Sequence, residues 1–244
     1  MKRTQWSFRR IEKKYLMSVE QYTQLCAVLQ EHLVPDDYPV STVCNLYYDT
    51  PDYLLIRRSI EKPVYKEKFR LRSYGIPAED SPIFMEIKKK YEGVVYKRRV
   101  RTAAAEAMHY LQGGPHPAVN DPQILREIDW FCRRYPLMPR MILAYDRQSF
   151  KSEQDCGLRV TFDRNIRYRI DDLDLTHGAH GTPLLPDDKV LMEIKIPGAC
   201  PVWLADALSE LKIFPTSFSK YGRAYQQLLK KKMIQMEEDH RHAS

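Results

Sequence analysis

Apolar residues recur along this chain in two periods, and the switch from one to the other marks out its elements. Ser18 followed by Gln21 is a capping-box start, and Val19, Tyr22, Cys26, Leu29 and Leu33 then recur at helical spacing. Asp121-Pro122 places an N-cap before a proline at the first helical position. Ile124, Ile128, Phe131 and Tyr135 then share one face, and Pro136 ends the run. Tyr221, Ala224, Tyr225, Leu228 and Leu229 predict a helix near the C-terminus, and two further helical stretches are predicted over 102–111 and 202–211. Between them lie eight runs of strand-like alternation, at 8–12, 42–49, 65–74, 83–91, 94–101, 140–150, 158–169 and 189–196. Tyr91-Glu92-Gly93 reads as a hairpin turn, and 171–188, rich in Asp, Gly, His and Pro, as a surface loop. No linker divides the chain. The expectation is one domain over 1–244, with a core of about 8–230 and a polar tail.

Strand parity puts charge of one sign on one face. Lys66, Lys68, Arg70 and Arg72 project from one side of their strand while Phe69 and Leu71 project from the other. Lys97, Arg99 and Arg101 repeat the pattern opposite Tyr96 and Val100, and Arg159, Thr161 and Asp163 face away from Leu158, Val160 and Phe162. A single such strand is most simply a solvated sheet face. Rows of like charge on neighbouring strands repel, and are tolerated when anions sit among them. Met85-Glu86-Ile87-Lys88 recurs as Met192-Glu193-Ile194-Lys195, and a third Glu-x-Lys, Glu12 and Lys14, follows Arg10. These pairs read either as cross-strand ion pairs or as a phosphate-binding lysine beside a carboxylate for a divalent cation. If the eight strands close, the basic faces point inward. A dry core cannot hold them, so a wet, anion-filled tunnel is expected, with the width of one slender ligand.

Composition sharpens the sign of the partner without choosing it. The chain has 39 Lys+Arg against 32 Asp+Glu, a formal charge of +7, and is 43% hydrophobic, enough for a core. The five cysteines are odd in number and lack Cys-x-x-Cys spacing, which argues against a disulfide framework or structural zinc and for a reducing, cytoplasmic setting. Residues 1–15 show no apolar signal segment, and no run reaches the ~20 apolar residues that span a bilayer.

In order along the chain come Arg10-Ile11-Glu12-Lys13-Lys14-Tyr15, Tyr47-Tyr48-Asp49-Thr50-Pro51, Arg70-Leu71-Arg72-Ser73-Tyr74-Gly75, the two Glu-x-Lys strands, Tyr145-Asp146-Arg147 and Phe218-Ser219-Lys220-Tyr221. This set resembles the VTC domain, the polyphosphate polymerase branch of the triphosphate tunnel metalloenzymes (the CYTH superfamily), over nearly the whole chain. The resemblance implies an α+β fold, an antiparallel eight-stranded β-barrel tunnel flanked by helices, which binds ATP and inorganic polyphosphate. It implies catalytic roles for Arg70, Arg72, Lys88, Arg159 and Lys220. Arg10, Lys14, Lys68, Lys97, Arg99, Lys195 and Ser219 are expected to contact phosphate, and Glu193, Glu86 and Glu12 to hold Mn²⁺ or Mg²⁺. Ser217 stands where a further basic residue is expected, and Arg10 stands where hydrolytic tunnel enzymes carry another glutamate. The latter favours single-metal phosphoryl transfer. A tripolyphosphate or nucleoside triphosphate hydrolase and a non-catalytic polyphosphate-binding module are the alternatives. Nucleic acid is not the expected partner, since no recognised nucleic-acid motif is present.

Overall fold

The computed structural model describes residues 11–92, 94–154 and 157–242. Along the chain run β1 (Ile11–Ser18), α1 (Val19–Gln30), β2 (Val34–Asp49), α2 (Leu54–Ile60), β3 (Tyr65–Tyr74), β4 (Pro82–Tyr91), β5 (Val94–Ala103), α3 (Ala104–Leu111) and α4 (Pro122–Arg134). There follow β6 (Met138–Lys151), β7 (Arg159–Arg169), β8 (Thr182–Pro183), β9 (Lys189–Ile196), α5 (Val202–Glu210), β10 (Pro215–Thr216) and α6 (Lys220–His242). The fold is α+β, and its strand pairs are antiparallel. The chain forms two compact units. The first comprises the chain up to Thr42, Tyr145–Ile166 and Leu185–Phe218, and the second comprises Val43–Ala144, Arg167–Leu184 and Ser219–Ser244.

In the first unit β1 lies between β9 and β10, and β9 pairs on its other side with β7. The register sets Glu12 opposite Lys195 and Lys14 opposite Glu193. It also sets Lys195 opposite Arg159 and Glu193 opposite Thr161. The alternate residues Tyr15, Met17, Val160, Phe162, Met192 and Ile194 enter an apolar core covered by Leu25 and Leu29 of α1 and Leu204 and Leu208 of α5. The α1 capping box forms as read: Ser18 Oγ accepts from the Gln21 N–H, and the Gln21 side chain accepts from the Ser18 N–H. The first strand differs from its expected 8–12. It runs to Ser18 because Tyr15 and Met17 alternate into the core up to the cap. Its expected start at 8–10, with Arg10, lies outside the described residues.

In the second unit β3 pairs with β2 and β4, and β4 pairs with β5. Leu46, Phe69, Leu71, Met85, Ile87 and Val100 form the buried face, packed by Ala104 and Ala107 of α3 and by Leu125, Ile128 and Phe131 of α4. α4 starts where the sequence puts it, with Asp121 Oδ1 accepting from the Ile124 N–H ahead of Pro122. α2 was not read from the sequence. Its N-terminus is built by the Asp49-Thr50 pair: Asp49 accepts the N–H groups of Thr50, Leu55 and Ile56 at 2.8, 2.9 and 3.0 Å, and Thr50 Oγ1 accepts that of Leu54 at 2.8 Å. The stretch read as a surface loop carries a single 3-10 turn, Leu175–His177, and the short β8. Its shape is fixed by the buried Arg169, whose guanidinium donates to the carbonyl oxygens of Asp172, Asp174, Gly178 and His180.

Candidate functional site

The alternation that buries Phe69, Leu71, Met85 and Ile87 turns the intervening residues of β3, β4 and β5 onto the opposite face. Lys68, Lys88 and Lys97 stand in one cross-strand row; Arg70, Glu86 and Arg99 stand in the next. Such a row of three like charges is unfavourable on its own. One carboxylate in the neighbouring row gathers the surrounding cations. Glu86, 1% exposed, accepts from Arg70 Nε and Nη2 at 2.9 and 2.7 Å through Oε2, meets Lys97 Nζ at 2.6 Å through Oε1, and lies 3.8 Å from Arg72 Nε. Burial works against ionising Glu86, but Arg70, Arg72 and Lys97 outweigh it and hold the carboxyl down at about 2. Lys97 is also shifted down, but here the shift disfavours the charge: desolvation lowers its ammonium to about 8 despite Glu86 beside it. The cluster carries three cations on one anion, which leaves it net positive.

Two neutral side chains on β2 finish the positioning of the arginines, and the sequence reading gave them no role. Asn45, fully buried, accepts from Arg72 Nε at 2.9 Å through Oδ1 and donates through Nδ2 to the Leu143 carbonyl at 3.0 Å. The Tyr47 hydroxyl accepts from Arg70 Nη1 at 3.0 Å. The Tyr47 ring stacks on Tyr221 of α6 at 4.3 Å, and the Tyr221 hydroxyl donates to Asp49 at 3.0 Å. Burial raises the Asp49 carboxyl, opposed by the backbone and tyrosine donors that hold it. The signal for Tyr47 and Asp49 was present in Tyr47-Tyr48-Asp49-Thr50-Pro51. Asn45 leaves no signal, since one polar residue on a strand has no periodicity.

The remaining predicted residues of this unit fall nearby. Lys68 Nζ donates to Ser219 Oγ at 3.1 Å, and the same hydroxyl accepts the Gly222 N–H at 3.2 Å at the start of α6, where Lys220 is the first residue. The Arg99 guanidinium lies 4.5 Å over the Phe84 ring.

The first unit holds a second, mixed cluster. Lys14 Nζ donates to the Phe218 carbonyl at 3.0 Å and lies 3.7 Å from Glu12 and 3.8 Å from Glu193. Glu193, with 12% of its side chain exposed, also pairs with Lys195 at 2.9 Å. Beside it Arg147 grips the buried Asp163 through two bonds of 2.7 and 2.9 Å. Against the pull of desolvation, Tyr145, Asp163 and Glu193 hold that guanidinium firmly charged. The Arg147–Asp163 clamp was not anticipated, although both residues lie in runs that the sequence reading singled out. Arg159 shares a register position with Lys195, yet its side chain is 54% exposed and 3.8 Å from Asp36. Among the described residues no group of three or more His, Cys, Asp or Glu side chains could hold a metal ion by itself. Glu12 and Glu193 flank one lysine, a donor set that fits a hard cation taking most of its shell from phosphate oxygens and water.

The profile of the VTC domain family matches residues 9–229. Subunit 4 of the vacuolar transporter chaperone complex of Trypanosoma cruzi is 27% identical over 165 residues, covering 56% of this chain and 21% of that protein. The chain thus spans about a fifth of the length of this curated relative. A Bacillus halodurans crystal structure, described as a candidate adenylate cyclase, superposes with a TM-score of 0.52 at 16% identity, covering 86% of this chain and 95% of that one.

Proposed function

This chain belongs to the VTC domain family and has the triphosphate tunnel fold, and from that premise we propose that it is a polyphosphate polymerase. It transfers the γ-phosphate of ATP to the end of a growing inorganic polyphosphate chain. An oxygen of the terminal phosphate forms a bond to the γ-phosphorus, the bond from that phosphorus to the bridging oxygen breaks, and ADP leaves with the electron pair. Such a transfer asks for positioning and charge neutralisation rather than a protein nucleophile. The observation that carries the reading is the net-positive Arg70–Arg72–Lys97 cluster held rigid on Glu86.

In this reading Arg70, Arg72, Lys68, Lys88, Lys97 and Lys220 contact phosphate oxygens, and Arg99 adds to the field. Glu86 serves as their counter-ion, because three cations already occupy its two oxygens. Glu193, with Glu12 beside it, would hold Mg²⁺ or Mn²⁺, and Lys14, Lys195 and Arg159 supply positive charge around them. When bound, the metal neutralises charge on phosphate oxygens. The residues of the chain orient the phosphates through preset donors, and no reorganisation is needed as charge shifts from acceptor to leaving group.

The test is incubation with ATP and Mn²⁺ or Mg²⁺, with polymer read on a gel and ADP and free phosphate measured in parallel. Long polyphosphate with matching ADP is expected. Arg72→Ala and Glu193→Ala should each cut synthesis ~10²–10³-fold while the far-ultraviolet circular dichroism is kept. Free phosphate without polymer would make the chain a hydrolase instead. Tight tripolyphosphate binding with no turnover in either metal would make it a binding module.

A further inference from the structure

From Leu229 to Asp239 the side chains of α6 are exposed, with Lys231 lying 5.8 Å over the Tyr168 ring, and the sequence of this segment is complementary to itself. Tyr221, Ala224, Tyr225 and Leu228 are buried, but every residue from Leu229 to Asp239 is exposed. Among these are four large apolar residues, Leu229, Met233, Ile234 and Met236, the last three 62%, 56% and 61% exposed. Leu229, Met233 and Met236 are separated by four and three residues, the spacing of a coiled-coil seam, and Ile234 lies next to it. Charge is segregated along the same stretch. Lys230, Lys231 and Lys232 precede the two methionines, and Glu237, Glu238 and Asp239 follow them.

We propose that this helix segment pairs antiparallel with the same segment of a second copy of the chain. About a two-fold axis between residues 234 and 235, Met233 packs on the partner's Met236. The positions flanking that seam are 230 and 237 on one side and 232 and 239 on the other. Antiparallel pairing therefore sets Lys230 against the partner's Glu237 and Lys232 against the partner's Asp239. Two-fold symmetry repeats each, giving four attractive pairs. A parallel pair would align only Lys232 with Glu237, giving two. The self-complementarity selects a second copy over an anionic membrane, because a bilayer would attract the lysines and repel the three acids that follow them. Eleven exposed residues span about 16 Å of helix, so the seam is short and the association is concentration-dependent. The pairing stands independently of the phosphate chemistry proposed above.

Sedimentation velocity of the full chain from about 1 to about 200 µM, without phosphate ligands, should show a monomer passing to a dimer. Lys230→Glu/Lys232→Glu and Glu237→Lys/Asp239→Lys each turn four attractive pairs repulsive and should weaken dimerisation about a hundredfold. An equimolar mixture of the two variants restores every pair and should dimerise like the parent. All four changed positions are exposed, so the fold persists, which circular dichroism checks. Oxidative cross-linking sets the direction: Met233→Cys should link to Met236→Cys in a mixture and not to itself. A parent that stays monomeric throughout the range, with or without binding anionic vesicles, would overturn the proposal. So would charge variants that dimerise unchanged, or a Met233→Cys chain that cross-links to itself.

Discussion

Glu86 and Lys97 are one ion pair with two different dependences on pH. The folded Glu86 carboxyl sits at about 2 against an ordinary 4.5. The folded state is therefore the weaker proton binder: the stability Glu86 contributes is complete above its ordinary value and is lost as pH falls through about 2. Glu86→Gln leaves Arg70, Arg72 and Lys97 crowded without their anion, and should cost about 3–5 kcal/mol at neutral pH. Urea unfolding between pH 7 and 3 measures both, and the variant should have a flatter acid limb than the parent. At Lys97 the folded state is again the weaker proton binder, but the form it disfavours is the charged one. Its ammonium is held at about 8, so it has lost half its charge at that pH. Tripolyphosphate affinity should fall between pH 7 and 9 beyond what the ligand's own titration causes. Calorimetry should show proton uptake on binding near pH 8, and Lys97→Met should remove that uptake. Equal uptake by the variant would assign it to another group. The basic face was legible at this scale because buried and basic residues alternate from Lys66 to Leu71 of β3 and recur in part along β4 and β5. The roles of Glu86 and Asn45 were not, since they depend on which residues lie across the register, and a single strand does not report its neighbour.

Among the elements, α2 shows how a motif can be visible while its purpose is hidden. The run after Tyr47 was recognised as a pattern, but Leu54–Ile60 is only seven residues, too short for helical periodicity to register. What makes it a helix is Asp49, fully buried and accepting three backbone N–H groups together with the Tyr221 hydroxyl. Asp49→Ala should strand those donors and cost about 3 kcal/mol or more, read from the urea midpoint. Tyr221→Phe removes one bond and should cost about 1 kcal/mol. A similar loss in both would mean that the helix is held by Leu55 and Ile56 packing rather than by its cap. The long strands were largely read correctly because burial on one face and charge on the other gives a clean period of two. β2 was shortened to 42–49 because its first half, Val34 to Ser41, is mostly exposed and carries Pro35, Pro39, Asp36 and Asp37, which read as turn residues.

At the scale of the whole molecule, a +7 chain with cationic rows on its strands should be stabilised by the anion it binds. A ligand at a hundredfold excess over its Kd adds about 2.7 kcal/mol. For a chain of this size that raises Tm by roughly 5–10 °C. Thermal unfolding with and without tripolyphosphate measures it, and the shift should shrink with added salt. An equal shift with sulfate at the same ionic strength would point to general charge screening. Arg169 sets how readily one long connection can open. With four carbonyl oxygens held by one guanidinium, swinging the 171–181 segment away would leave all four acceptors to find water together, at about 1 kcal/mol each. About 4 kcal/mol in all keeps that segment folded around Arg169 in all but about one molecule in a thousand, so one guanidinium gives a stretch with little regular structure the persistence of a helix or strand.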